Sequence, residues 1–274
     1  MILDKIVKCT EKRIENKKKE VAIDDLISQI NSMYRKNANY KNNNLNYDFD
    51  EKNYFEESLK SKGMSFICEV KKASPSKGII CDDFDQVRIA EVYEKIGASA
   101  ISVLTEPYFF KGSDDYLVDV VNNVNIPVLR KDFIIDEYMI YESKILGASA
   151  ILLITSILNK NNLEKFIELS YKLNMHPLVE VHTKNEIKIA IDAGARIIGV
   201  NNRNLQNFEV DINTSINLRK YVPEDIVFVS ESGIKSANHI KNLHDNNVDA
   251  VLIGESLMRS NDKKIAMDEL RSLI

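Results

Sequence analysis

Gly97-Ala98-Ser99-Ala100-Ile101 and Gly147-Ala148-Ser149-Ala150-Ile151 are one string written twice. What flanks the two copies is shared as well. Upstream, apolar residues recur near helical spacing; downstream they form a near-continuous run, to Leu104 in the first copy and to Ile154 in the second. A glycine just past a helix supplies the left-handed residue that ends it. A continuous apolar run is the signature of a parallel strand buried on both faces. Each copy therefore marks the end of a helix and the beginning of a strand.

Working outward, the same kind of run appears eight times, at 66–70, 100–104, 127–130, 150–154, 177–181, 196–200, 226–230 and 249–253. From Ile67 to Val251 the spacing averages about 26 residues per step, enough for one strand, one helix and two short loops. The intervening segments include helical patterns at 85–96, 138–146, 163–173 and 186–193, with Gly97, Gly147 and Gly194 closing three of them. Eight alternating units predict an α/β chain folded as a (β/α)8 TIM barrel. The alternative is a doubly wound open sheet, and the missing G-x-G-x-x-G after the first run counts against it.

Residues 1–63 precede the repeat. Leu3, Ile6, Val7, Thr10 and Ile14 fall on one helical face, and Ile23, Leu26, Ile27, Ile30 and Met33 on another. Two apolar faces need burial, which argues against a disordered tail. Lys17-Lys18-Lys19 reads as a solvated helix face. The Asn-, Lys- and Tyr-rich stretch 35–53 has no period and reads as an exposed connection, followed by a short helix over 55–62. The expectation is one domain over 1–274: a helical extension over 1–63 and the barrel over 64–274.

Composition narrows the function classes. The chain has 274 residues, 44% of them apolar, and 37 Lys+Arg against 41 Asp+Glu. That is enough for a sizeable core, and the near balance gives no support to a nucleic-acid partner. No apolar run approaches the roughly 18 residues of a membrane span, and the start of the chain lacks the plan of a signal peptide. Cys9, Cys68 and Cys81 show no paired spacing, which predicts neither a disulfide scaffold nor a zinc cage and points to a reducing cytoplasm. The chain ends soon after the last helical pattern, so no fused second enzyme is expected.

In such a barrel the chemistry sits where strands end at their C-terminal side. The first run carries Glu69 and Lys71, two apart and on one face. The third ends in Lys131, the fifth holds Glu180 between two valines, the sixth gives Asn201 and Arg203, and the seventh gives Glu231-Ser232-Gly233. Charged groups there are costly to bury unless paired or used. Lysines and glutamates gathered in a desolvated mouth suit acid–base work; the alternative is a structural ion-pair network. Ser232-Gly233 and Gly254-Glu255-Ser256, after the last two runs, are small-residue turns where backbone N–H groups can meet a phosphate. Ser74-Pro75-Ser76-Lys77-Gly78 is a turn whose hydroxyls and lysine suit an anionic ligand or a lid, or else an ordinary surface turn. His176, His182, His239 and His244 have no metal-ligand spacing. No serine lies in a G-x-S-x-G elbow.

These motifs resemble the indole-3-glycerol-phosphate synthase family. The resemblance is carried by Glu69-Val70-Lys71-Lys72-Ala73-Ser74-Pro75-Ser76-Lys77-Gly78, Ser102-Val103-Leu104-Thr105-Glu106 with Phe109-Phe110-Lys111-Gly112-Ser113, and Val128-Leu129-Arg130-Lys131-Asp132-Phe133-Ile134. It continues in Leu178-Val179-Glu180-Val181-His182, Gly199-Val200-Asn201-Asn202-Arg203-Asn204-Leu205, Val229-Ser230-Glu231-Ser232-Gly233-Ile234 and Leu252-Ile253-Gly254-Glu255-Ser256-Leu257-Met258. It spans essentially the whole chain except 34–53. It implies ring closure of 1-(2-carboxyphenylamino)-1-deoxyribulose 5-phosphate, with loss of CO2 and water, to indole-3-glycerol phosphate in tryptophan synthesis, with no metal or organic cofactor. On this reading Lys131, Glu180, Glu69, Lys71 and Asn201 are catalytic. Ser74 and Arg203 take the anthranilate carboxylate, and Phe133 and Ile253 pack its ring. Ser232, Gly233, Gly254 and Glu255 hold the phosphate. No nucleic-acid or membrane partner is implied. A monomer or a weak homodimer, and association with other enzymes of tryptophan synthesis, stay open. So do two alternatives: another phosphosugar isomerase or lyase, which shares the phosphate end, and a non-catalytic ligand-binding barrel.

Overall fold

The computed structural model describes residues 2–40, 55–60, 63–204 and 208–274, the side chains of 36–40 excepted. The eight runs are eight parallel strands: β1 (Ser65–Val70), β2 (Ala100–Leu104), β3 (Val128–Lys131), β4 (Ala150–Ile154), β5 (His176–Val181), β6 (Ile197–Asn201), β7 (Val227–Glu231) and β8 (Ala250–Ile253). Each pairs with the next, and Ser65 of β1 pairs with Ala250 of β8, so the sheet closes into a barrel. Between and after the strands lie α4 (Gln86–Lys95), α5 (Asp114–Asn123), α6 (Glu137–Ile145), α7 (Lys160–Lys172), α8 (Lys184–Asp192), α9 (Asn213–Arg219), α10 (Ala237–Asp245), α11 (Glu255–Arg259) and α12 (Lys263–Arg271). The starts of α4 to α8 and of α10 are set by Asp85, Ser113, Asp136, Asn159, Thr183 and Ser236, whose side chains accept a free backbone N–H of the first turn. At the other ends Gly97 and Gly147 take φ +85°, as the repeated string predicts. Among the described residues no helix is long and apolar enough to cross a membrane.

Strand alternation sorts the side chains into two buried sets. Phe66, Cys68 and Val70 face the helices, whereas Ile67, Leu129, Leu152, Leu178, Ile197, Val229 and Leu252 fill the barrel. Burial pushes the Cys68 thiol up to about 12, so it behaves as an apolar filler. The filled interior is what puts charge at one end: continuing the inward series by two brings Glu69 after Ile67, Lys131 after Leu129, Glu180 after Leu178, and Glu231 after Val229. The opposite end is closed by α3 (Phe55–Leu59), whose Phe55 and Leu59 are fully buried with the strand starts. Residues 61 and 62 of the expected 55–62 helix lie outside the described residues.

The extension is helical. It comprises α1 (Ile2–Glu20) and α2 (Ile23–Tyr40). The expected loop therefore begins later than position 35; its remainder, 41–53, lies outside the described residues. The solvated face expected at Lys17-Lys18-Lys19 is corrected at Lys17 alone; Lys18 is ion-paired but exposed, and Lys19 is exposed. Lys17 donates to Asp114 and Glu142, both at 2.5 Å, and Lys18 donates to Asp136 at 2.7 Å. A run of lysines looks solvated only until acidic helix starts, here those of α5 and α6, are folded against it.

Candidate active site

A cavity of about 740 Å³ opens at the C-terminal ends of the strands. Glu69, Lys71, Ser74, Lys131, Phe133, Glu180, Asn201, Arg203, Ser232, Gly233, Ile253, Gly254 and Glu255 all line it. So do Ile2, Leu3 and Ile6 of α1, which form one wall of the mouth.

Lys131 stands at the centre. Its ammonium donates to Glu231 and lies 4.0 Å from Glu180 Oε2. Burial pushes this lysine down, but the carboxylates of Glu231, Glu180 and Glu69 outweigh it and hold Lys131 above its ordinary range. Beside it Lys71 donates to Glu69. Glu69 is pushed up by burial, yet Lys71 and then Lys131 bring it below the usual carboxylate range. Glu231 goes the other way. Burial, together with Glu180 and Glu69, exceeds the pull of Lys131 and raises it to about 7. The cluster thus sets an ammonium that is protonated at neutral pH beside a carboxyl whose proton affinity is raised to about 7.

Two glycines make room for these groups. A Cβ on Gly199 would stand 2.2 Å from Glu231 Oε1 and 3.1 Å from Leu178. A Cβ on Gly254 would stand 2.3 Å from Glu69 Oε2 and 2.9 Å from Lys71 Nζ. Both carboxylates therefore lean into space that only glycine leaves open.

The ends of β2 and β3 are held from outside. Asp132, between Lys131 and Phe133, accepts from Nη2 of Arg13 of α1 on both oxygens, at 2.8 and 2.9 Å, and a hydrogen bond from Thr105 at 2.8 Å. Arg130, wholly buried, donates to Asp114 and Glu142, both at 2.8 Å. Glu106 accepts the backbone N–H groups of Tyr108, Phe109 and Phe110 at 3.0, 2.7 and 3.0 Å. That turn sets Phe110 against Phe133, ring centres 5.9 Å apart, as an apolar wall beside Lys131.

At the other side, Ser232 and Gly233 both have positive φ, +67° and +83°. For serine this is a strained conformation that its surroundings must impose. Asn202 does so: buried at 3% exposure, it donates to Ser230 Oγ and to the Ser232 carbonyl, both at 3.0 Å, and accepts from Ser215. Ser74 and Lys77 lie on a small hairpin of Ala73–Ser74 with Gly78–Ile79. Lys77 Nζ is 3.9 Å from Glu255 Oε1 across the mouth. Asn201 accepts the Arg203 backbone N–H at 3.0 Å, and the Arg203 guanidinium donates to the Phe208 carbonyl at 3.3 Å.

Glu231 stands at the end of β7, and its inward parity after Val227 and Val229 is the signal in the sequence for its part in the cluster. Arg13 and the wall from α1 carried no local signal, since their partners are remote in the chain. Among the described residues no group of three or more His, Cys, Asp or Glu side chains is arranged to hold a metal ion.

Comparisons with known proteins bear on this arrangement. Residues 3–270 match the family model described as indole-3-glycerol phosphate synthase. A protein of that name from Ruminiclostridium cellulolyticum is 50% identical over 99% of this chain and 99% of its own. Another from Lachnoclostridium phytofermentans is 47% identical over the whole of both chains. Among solved structures, 3-hexulose-6-phosphate synthase from Salmonella typhimurium aligns with TM-score 0.62 at 14% identity, over 77% of this chain and 98% of that one, which is a likeness of fold alone.

Proposed function

The chain belongs to the indole-3-glycerol phosphate synthase family, and we propose here how its side chains divide the work of that reaction. The protein is a carboxy-lyase of tryptophan biosynthesis. It closes the ring of 1-(2-carboxyphenylamino)-1-deoxyribulose 5-phosphate and releases CO2 and water, giving indole-3-glycerol phosphate.

One observation carries the division of labour: the Lys131 ammonium, largely enclosed at the end of a packed barrel, donates to Glu231, lies beside Glu180 and feels the charge of Glu69. Closure places negative charge on the ribulose carbonyl oxygen as the ring carbon attacks. Lys131 is the proton donor to that oxygen. Loss of water needs an acid for the departing hydroxyl and a base for the proton on nitrogen. Glu180 and Glu69 take these parts, and Glu231, exchanging near pH 7, re-protonates Lys131. Lys71 holds an anionic group and balances Glu69, and Asn201 orients the reacting hydroxyls.

Binding uses both ends of the substrate. Arg203 and Ser74 take the carboxylate. Phe133 and Ile253 pack the aromatic ring, with Phe110 extending the wall. Ser232, Gly233, Gly254 and Glu255 hold the phosphate through backbone N–H groups and a hydroxyl. Fixing both ends turns closure into a positioned intramolecular step.

Glu180→Gln keeps the shape but replaces one acceptor oxygen with an amide donor and cannot take up a proton. Turnover followed by product fluorescence is expected to fall about 10²–10⁴-fold with an unchanged melting temperature; near-native turnover would remove Glu180 from the chemistry. Arg203→Ala is expected to raise KM by about tenfold or more while kcat changes less. An unchanged KM would count against its carboxylate role. The reading also takes the chain as one domain, with 1–63 docked on the barrel at 64–274; the ion pairs of α1 support this. A cytoplasmic setting, in keeping with three free cysteines, and a monomer or weak homodimer able to associate with other enzymes of the pathway complete it.

A further inference from the structure

His182 follows Glu180 by two positions and stands one residue beyond the end of β5. Its Nε2 lies 3.6 Å from Glu180 Oε1, buried and without a hydrogen-bond partner. Its Nδ1 lies 3.8 Å from Glu186 Oε2. That carboxylate does not swing freely. It accepts the backbone N–H groups of His182 and Thr183 at 2.6 and 3.1 Å and forms, with Thr183, the capping box of α8. The imidazole is therefore set between a carboxylate fixed by the backbone and a carboxylate in the active cavity.

Both separations exceed hydrogen-bond distance, and Nε2 is the ring atom nearer to its carboxylate. We propose that His182 is a positioning residue for Glu180. Anchored by Glu186, it donates from Nε2 to Oε1 and leaves Oε2 turned toward Lys131 and the substrate. This rests on the reading of Glu180 as a group that handles a proton in the reaction. A donor on one oxygen favours the ionised carboxylate and fixes which oxygen meets the substrate.

The ring also borders a second cavity of about 770 Å³, which shares Leu3 and Asn201 with the first. Charged groups facing it there are Asp4, Lys8 and Glu11 from α1, and Glu209 and Asp211 from the segment after β6. These stay in place in every variant below, so their influence cancels in the comparison. On the active side Glu180 faces Lys131.

The test is a pH–rate series on His182→Ala, His182→Gln and His182→Asn in the full chain, with melting temperatures as the fold control. Gln places an amide donor where Nε2 stands; Asn places one nearer Nδ1. The alanine variant is expected to lose about tenfold in kcat, with KM little changed and the limb of the kcat profile that Glu180→Gln abolishes moved to higher pH. Gln recovers most of both effects and Asn does not. Glu186→Gln, which keeps the capping oxygen but not the charge, moves the limb in the same direction by less. If that limb is unchanged in His182→Ala, or if Gln and Asn behave equally, the proposal is overturned. If Glu180→Gln itself turns over normally, the reading of Glu180 has failed; if that variant is inactive while His182→Ala keeps the native profile, only the role of His182 has.

Discussion

Lys131→Ala is expected to lower kcat by about 10²–10⁴-fold in a protein that still folds. The loss has two parts. The substitution removes the proton donor at the point where the carbonyl oxygen gains charge, and it removes the cation that balances Glu231, Glu180 and Glu69. Leaving three buried carboxylates without that cation would threaten the fold, except that Glu231 already binds a proton near pH 7. In the variant it stays protonated at neutral pH and the charge is absorbed. The checks are turnover by product fluorescence, circular dichroism and the thermal midpoint. Lys131→Arg sharpens the result. A guanidinium keeps the charge but does not release a proton in this pH range, so it should bind substrate and still turn over poorly. Turnover within tenfold of native in the alanine variant would take Lys131 out of the donor role.

Gly199→Ala is expected to cost about 10²-fold in kcat, although the residue carries no functional group. The added methyl would stand 2.2 Å from Glu231 Oε1. Either Glu231 gives way, breaking its contact with Lys131, or β6 shifts and takes Asn201 with it. A displacement of about 1 Å in a positioned site is enough for such a loss. The pH–rate profile separates this from simple destabilisation: the limb governed by the Lys131–Glu231 pair should move, which a lower melting temperature alone would not produce. A variant with native turnover would mean that Glu231 adapts freely and that its present placement is not needed.

Much of this was legible in the sequence, for identifiable reasons. The barrel was visible because its strands are buried on both faces, so 150–154 and 177–181 stand out as apolar runs without any alignment. The charged residues were visible because a barrel filled by Ile67, Leu129 and Leu178 leaves its inward series only one place to become polar. What stayed hidden depends on contacts across the chain. Lys17 looked solvated because Asp114 and Glu142 are far from it in sequence. Gly199 looked like an ordinary strand residue and Gly254 like a turn for phosphate alone, because the side-chain atoms they admit belong to other strand ends. Glu231 fell between the two cases: its parity was available, but its raised proton affinity comes from burial and from carboxylates on β1 and β5.

The docking of α1 also orders events during synthesis. Arg13 precedes Asp132 by 119 residues, and Lys17 precedes Glu142 by 125. At about 5–20 residues per second, α1 leaves the ribosome on the order of ten seconds before its partners exist. Through that interval Ile6 and Ile14, both buried in the finished protein, have no barrel to cover them. The helix that walls the active mouth is thus made early and seated late. The nascent chain passes through a stage in which its first apolar face is open to chaperones, and the mouth takes its working shape only after α6 has emerged.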